Sequence, residues 1–146
     1  MASKALEIES RVVAWRRHFH QNPELSNREF KTASFIAGEL KKLGLVVEET
    51  VGRTGVVGLL TGDQPGKTVA LRADMDGLPV AEATNLPYAS KARGQYEGRA
   101  VNVMHACGHD NHMAILLGAA EVLSGFRGRL KGQVKFIFQP VEKGAP

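Results

Sequence analysis

The apolar residues of this chain change period along its length, from helical to extended and back, and that alternation narrows the fold to the α/β class. Ile8, Val12, Trp15 and Phe19 recur at helical spacing and predict one amphipathic helix over residues 4–21. Pro23 ends it, because proline disfavours the helical region for the Asn22 before it. Ser26 followed by Glu29 reads as a capping box. Phe30, Ala33, Ile36, Ala37, Leu40 and Leu43 then form a single stripe closed by Gly44, a second helix with a glycine cap. Short aliphatic or β-branched runs follow over residues 46–49, 55–60 and 68–73, split by Gly52, Gly62, Pro65 and Gly66. They predict three strands, the last two joined as a hairpin. Residues 78–103, rich in Gly, Pro and polar side chains, read as a surface loop. Asp110 is placed to cap a third helix with Met113, Leu116, Leu117, Ala120 and Leu123 inward and Gly125 at its end. In residues 133–139, Val134, Phe136, Ile137 and Phe138 predict a strand buried on both faces. The expectation is an α/β fold with a mixed sheet flanked by helices.

At 146 residues, 43% hydrophobic and 23% charged, the chain has the size and composition of a single globular domain. No apolar run approaches the roughly twenty residues of a membrane-spanning helix, and the first nine residues lack an apolar signal core. Cys107 is the only cysteine, so no internal disulfide forms and a cytoplasmic location is the simplest expectation. The net charge of +4 comes from basic residues mostly interleaved with acids, and only 6% of residues are aromatic. Arg127, Arg129, Lys131 and Lys135 are the one unopposed cluster, a poor platform for nucleic acid, and no nucleic-acid or membrane partner is expected. The glycines at 52, 55 and 58 follow no phosphate-loop pattern.

Two segments carry chemistry. Asp74 and Asp76, two apart in extended chain, point to the same side, and close like charges call for a cation or hydrogen-bond donors. An Asp-Gly turn accounts for Asp76-Gly77 equally well. The run Met104-His105-Ala106-Cys107-Gly108-His109-Asp110-Asn111-His112 holds three of the five histidines and the only cysteine, directly before a helix. Thiolate and imidazole are preferred ligands of zinc and similar metals, and a Cys-x-His step lets both reach one ion. The helix N-terminus favours the Cys107 thiolate. A cysteine nucleophile with a histidine base is a second reading, weakened because side chains two apart are seldom placed for that proton transfer. His112, one turn into the helix, reads as a surface group, and His18 and His20 at the end of the first helix read as structural. Glu142, just past the Gln139-Pro140 break, stands at the strand edge where a general base is needed, or is an ordinary exposed glutamate.

Four ordered segments together resemble the amidohydrolase branch of the M20 metallopeptidases, which includes N-acyl-amino-acid, hippurate and indole-acetyl-amino-acid hydrolases. They are Arg16-Arg17-His18-Phe19-His20-Gln21-Asn22-Pro23-Glu24-Leu25-Ser26, then Ala70-Leu71-Arg72-Ala73-Asp74-Met75-Asp76-Gly77-Leu78-Pro79, then residues 104–112, then Phe136-Ile137-Phe138-Gln139-Pro140-Val141-Glu142. The resemblance implies the N-terminal half of a zinc-dependent exopeptidase catalytic domain, hence one incomplete domain over residues 1–146 without the family's lid and dimerisation domain. It implies Cys107 and His109 as ligands of a centre holding zinc or manganese, two ions in the intact family, with the thiolate bridging. Asp76 falls where an aspartate supports the site. Glu142 falls where the family's general base takes a proton from water as it attacks the amide carbonyl of a small N-acyl amino acid. One departure stands out: the family continues Gln-Pro-Ala-Glu-Glu, with the second glutamate a ligand, whereas this chain has Lys143, whose ammonium cannot ligate. Two other classes fit the same residues. One is a non-catalytic remnant of the fold with weak or no metal binding. The other is an interaction module using an exposed sheet face or the Arg127–Lys135 cluster.

Overall fold

The stretch expected to be one N-terminal helix is two. In the computed structural model, which describes residues 2–141, α1 (Ala2–Glu7) and α2 (Glu9–Gln21) are separated at Ile8, whose backbone leaves the helical region at φ −100°, ψ 0°. The break turns Ile8 inward against α4 (His109–Ser124), where Gly118 provides the room: a Cβ there would lie 2.9 Å from Val12 Cγ2 and 3.7 Å from Ile8 Cδ1. Glycine lets the backbones of α2 and α4 approach closely.

The second expected helix is α3 (Phe30–Lys42), but its start is not a capping box. Ser26 Oγ donates instead to Asp76 Oδ2 at 2.9 Å, and the Glu29 carboxylate accepts from Thr54 Oγ1 at 2.6 Å and the Asn27 amide at 3.0 Å. The first turn is capped by Glu24, which accepts from the Thr32 amide at 2.8 Å and its hydroxyl at 2.9 Å. Both side chains of the expected box are thus drawn off by residues distant in sequence. The C-terminus is as expected: Gly44 sits at φ +76°, its amide donates to Lys41 O at 2.9 Å, and the Leu45 amide donates to Leu40 O at 3.2 Å, a Schellman closure.

Strands β1 (Val46–Val51), β2 (Gly55–Thr61), β3 (Gln64–Asp74) and β6 (Lys131–Gln139) form one sheet in the order β1-β2-β6-β3. The hairpin is therefore β1–β2, not β2–β3 as expected. β6 lies between β2 and β3, antiparallel to the first and parallel to the second. A parallel pair needs a long crossover, and the segment containing α4 supplies it. Part of residues 78–103 is ordered too: β4 (Arg93–Tyr96) and β5 (Arg99–Asn102) form a hairpin whose turn places Glu97 and Gly98 at positive φ.

Register decides the core. Val56 pairs with Phe138, Leu60 with Val134, Leu71 with Phe136 and Ala73 with Phe138, so these side chains share the face covered by helices. There they join Trp15 and Phe19 of α2, Ile36 and Leu40 of α3, and Met113, Leu117 and Ala120 of α4. Among the described residues the opposite face is not closed, short of the burial on both faces expected for β6: Val57 and Ile137 are half-buried, while Lys135 and Arg72 are exposed. Val69 of β3 and Ile115 of α4 are also exposed. Among the described residues no helix is long and apolar enough to cross a membrane.

Candidate metal centre

The parallel pairing of β3 with β6 carries Asp74 to the C-terminal end of its strand, opposite Gln139, and the Met75 amide donates to Gln139 O at 2.9 Å. Past that point the chain is held on both sides. The Gly77 amide donates to Glu24 O at 2.7 Å, and Gly77 is so hemmed in that a Cβ would meet Pro23 Cβ and Val103 Cγ1, each at 3.1 Å. Leu78 and Met104 exchange backbone hydrogen bonds of 2.9 and 3.0 Å, which brings the histidine-rich segment alongside Asp76. That segment turns at Gly108, whose φ of +81° is a left-handed conformation suited to glycine, and enters α4 at His109.

His109 is buried, and its Nδ1 lies 2.9 Å from the Asp76 carbonyl oxygen and 3.1 Å from Asp76 Oδ1. Asp76 is buried as well and is held in turn by the Ser26 hydroxyl. A backbone carbonyl accepting from one ring nitrogen, here with the Asp76 carboxylate alongside, orients an imidazole and directs Nε2 to a ligand position, a usual support of a metal-bound histidine. Asp74, His109 and His112 bring one potential ligand atom each to within 4.8 Å of one another. An ion about 2 Å from each donor needs them about 3–4 Å apart, a spacing compatible with ligand atoms that all lie within 4.8 Å of one another. The donors fit the group: Asp74 Oδ1 is buried without a hydrogen-bond partner, a costly state that a cation relieves, and a carboxylate with two imidazoles is the chemistry of a three-ligand catalytic site.

Of the residues expected from sequence, Asp76 and His109 are in contact. Cys107 is exposed on the turn two residues earlier, and the three-residue group does not include it. Glu142 and Lys143 lie outside the described residues. Sequence reading did not bring Asp74 together with His109 and His112; it read His112 as a surface group, and the structure has it exposed. The usable signal was the i, i+3 spacing of His109 and His112, which sets both on one face of a helix start.

Buried charge shapes the surroundings. Burial drives the His105 imidazole down to about 4, against the opposing pull of Asp110, so it is neutral at pH 7. Burial also lifts Glu29 to about 7, with the Thr54 hydroxyl working the other way and the Asp76 charge reinforcing the rise. Glu82 is lowered: burial works to raise it, but hydrogen bonds from Thr84, His20 and the Ser90 amide prevail.

Residues 70–146, a little over half of the chain, match the model of peptidase family M20/M25/M40. The chain belongs to this family. Among its M20 relatives, thermostable carboxypeptidase 1 of Saccharolobus solfataricus is 50% identical over 138 residues, covering 94% of this chain and 33% of the relative. N-acetyl-L-cysteine deacetylase of Bacillus subtilis is 46% identical over 136 residues, covering 93% of this chain and 31% of the relative. The crystal structure of the YXEP protein of Bacillus subtilis, a dinuclear metal binding peptidase of the M20 family, aligns at a TM-score of 0.83 with 40% identity, covering 93% of this chain and 36% of that one. The chain thus spans about a third of the length of the M20 relatives it matches. The mixed α/β architecture is that of the M20 structures.

Proposed function

We propose that this chain carries part of the metal centre of an amidohydrolase that cleaves small N-acyl amino acids with water. The observation that carries the reading is the buried Asp76–His109 pair set beside Asp74 and His112. The deacetylase and carboxypeptidase names of its relatives, both amide-bond hydrolases, support the reaction class.

Asp74, His109 and His112 would hold a divalent ion, zinc or manganese. Cys107, two residues from His109 on the same turn, would supply a further thiolate ligand. Such an ion, when bound, polarises an amide carbonyl and makes water nucleophilic near neutral pH. The chain's own residues do the rest. Ser26 fixes the Asp76 carboxylate, and Asp76 fixes the imidazole of His109 against rotation. Glu142 is assigned the general base, taking a proton from water and delivering it to the departing amine.

A second reading, metal binding without turnover, is favoured by Lys143 where the family pattern has a ligand glutamate. One experiment separates them. The purified chain is titrated with zinc or manganese by calorimetry and assayed for amine release from N-acyl amino acids, beside His109→Ala and Cys107→Ala. Metal-dependent amine release lost in both variants supports the amidohydrolase. Metal uptake lost in His109→Ala with no amine release supports the second reading, and absence of uptake overturns both.

A further inference from the structure

A cluster of charged side chains adjoins the metal-binding turn, and the proposed chemistry makes no use of it. His20, at the end of α2, is buried with each ring nitrogen facing a carboxylate: Nδ1 is 2.8 Å from Asp110 Oδ2 and Nε2 is 3.0 Å from Glu82 Oε1. Arg16 Nε lies 2.9 Å from the same Asp110 oxygen. Glu82 accepts in addition from the Ser90 amide at 2.5 Å and from the Thr84 hydroxyl. His20 and Arg16, one turn apart on α2, therefore both hold Asp110, which is itself buried, while Glu82 reaches the cluster only through His20.

Buried ion pairs seldom add net stability over apolar packing, because desolvation offsets the attraction. What this one supplies is direction. α4 starts at Gly108 with no side-chain cap, so no capping contact sets how its first turn is rotated. Asp110 follows His109 by one residue, about 100° around the helix. Pinning Asp110 from α2 while Asp76 holds His109 fixes two adjacent spokes of the turn, and a rotation that freed either would carry His109 and His112 away from Asp74.

We propose that His20 is a positioning residue: through Asp110 it sets the rotation of the first turn of α4 and so aims His109 and His112 at the ion they hold with Asp74. The proposal rests on that trio being metal ligands. It assigns the buried histidine of the Arg16–Ser26 segment a task at the site instead of a purely structural one.

The test uses two substitutions that each keep half of the network. Asparagine at 20 presents its amide N–H near the place of Nδ1 and retains Asp110, while glutamine reaches Glu82 and loses Asp110. The purified full chain, His20→Asn and His20→Gln are titrated with cobalt(II) by visible absorption, with thermal midpoints recorded alongside. Cobalt affinity is expected to stay within about threefold of the original in His20→Asn and to fall about 10–100-fold in His20→Gln, the range found when an orienting partner is lost. Equal weakening in both, tracking the thermal midpoints, or no change in either overturns the proposal. Long-range ¹H–¹⁵N spectra of the metal-free imidazoles give a second readout: the His109 ring signals should move in His20→Gln and hold in His20→Asn. Absence of cobalt uptake by the unaltered chain overturns the metal reading alone, and the His109 spectra then decide the positioning claim, which falls if they move in both variants or in neither.

Discussion

Glu29 is fully enclosed, and burial lifts its pKa from 4.5 to about 7. An acid whose pKa is raised by folding binds its proton more tightly in the native state than in the unfolded one. Its stabilising contribution is complete below pH 4.5 and is lost as pH rises through 7. The thermal midpoint should therefore decline between pH 5 and pH 8, and Glu29→Gln should flatten that decline and be relatively more stable at pH 8. A steeper decline in the variant would contradict the assignment. The same residue explains one limit of sequence reading. Ser26 and Glu29 have the spacing of a local capping pair, but Asp76 and Thr54, 50 and 25 residues distant, take their side chains. His109 was legible because its neighbours in sequence, Cys107 and His112, are chemistry-bearing. Asp74 was half-legible, as one of a carboxylate pair, since the two histidines beside it come from the start of α4.

Among the elements, each helix face could be read from apolar spacing, and so could the glycine closing α3, because those signals lie within one turn or two. Strand pairing could not. Nothing between residues 55 and 73 announces that β6, some 60 residues further on, separates β2 from β3, and the short connection around Gly62 favoured a hairpin. The break at Ile8 escaped for a similar reason, since it answers to Gly118 on α4. That contact gives a test of the helix packing: Gly118→Leu forces a side chain into a space where even a Cβ lies 2.9 Å from Val12 Cγ2. Overpacking of this kind costs about 1–3 kcal/mol, measured as a lower urea midpoint, and Gly118→Leu with Val12→Ala should recover part of the loss. An unchanged midpoint in the single variant would mean the helices are further apart than described.

For the whole molecule, the α/β class and its M20 kinship were legible because four motifs occur in order through most of the chain. The rear face of the sheet was legible in part: Ile137 and its apolar neighbours resemble a strand covered on both sides, yet no helical pattern follows that strand to cover it, which left an exposed sheet face as one expectation. Because a ligand that binds only the folded chain stabilises it by mass action, zinc or manganese at 100 times its dissociation constant should add about 2.7 kcal/mol and raise the thermal midpoint in proportion. A chelator should reverse the shift, and His109→Ala should abolish it. A midpoint indifferent to both metals would count against a site made by these donors. The central place of β6 has a consequence for how the protein is made. β1–β2 and β3 have no strand in common until residues 131–139 arrive, so a nascent chain emerging from the ribosome would hold these earlier strands in waiting until β6 is released between them.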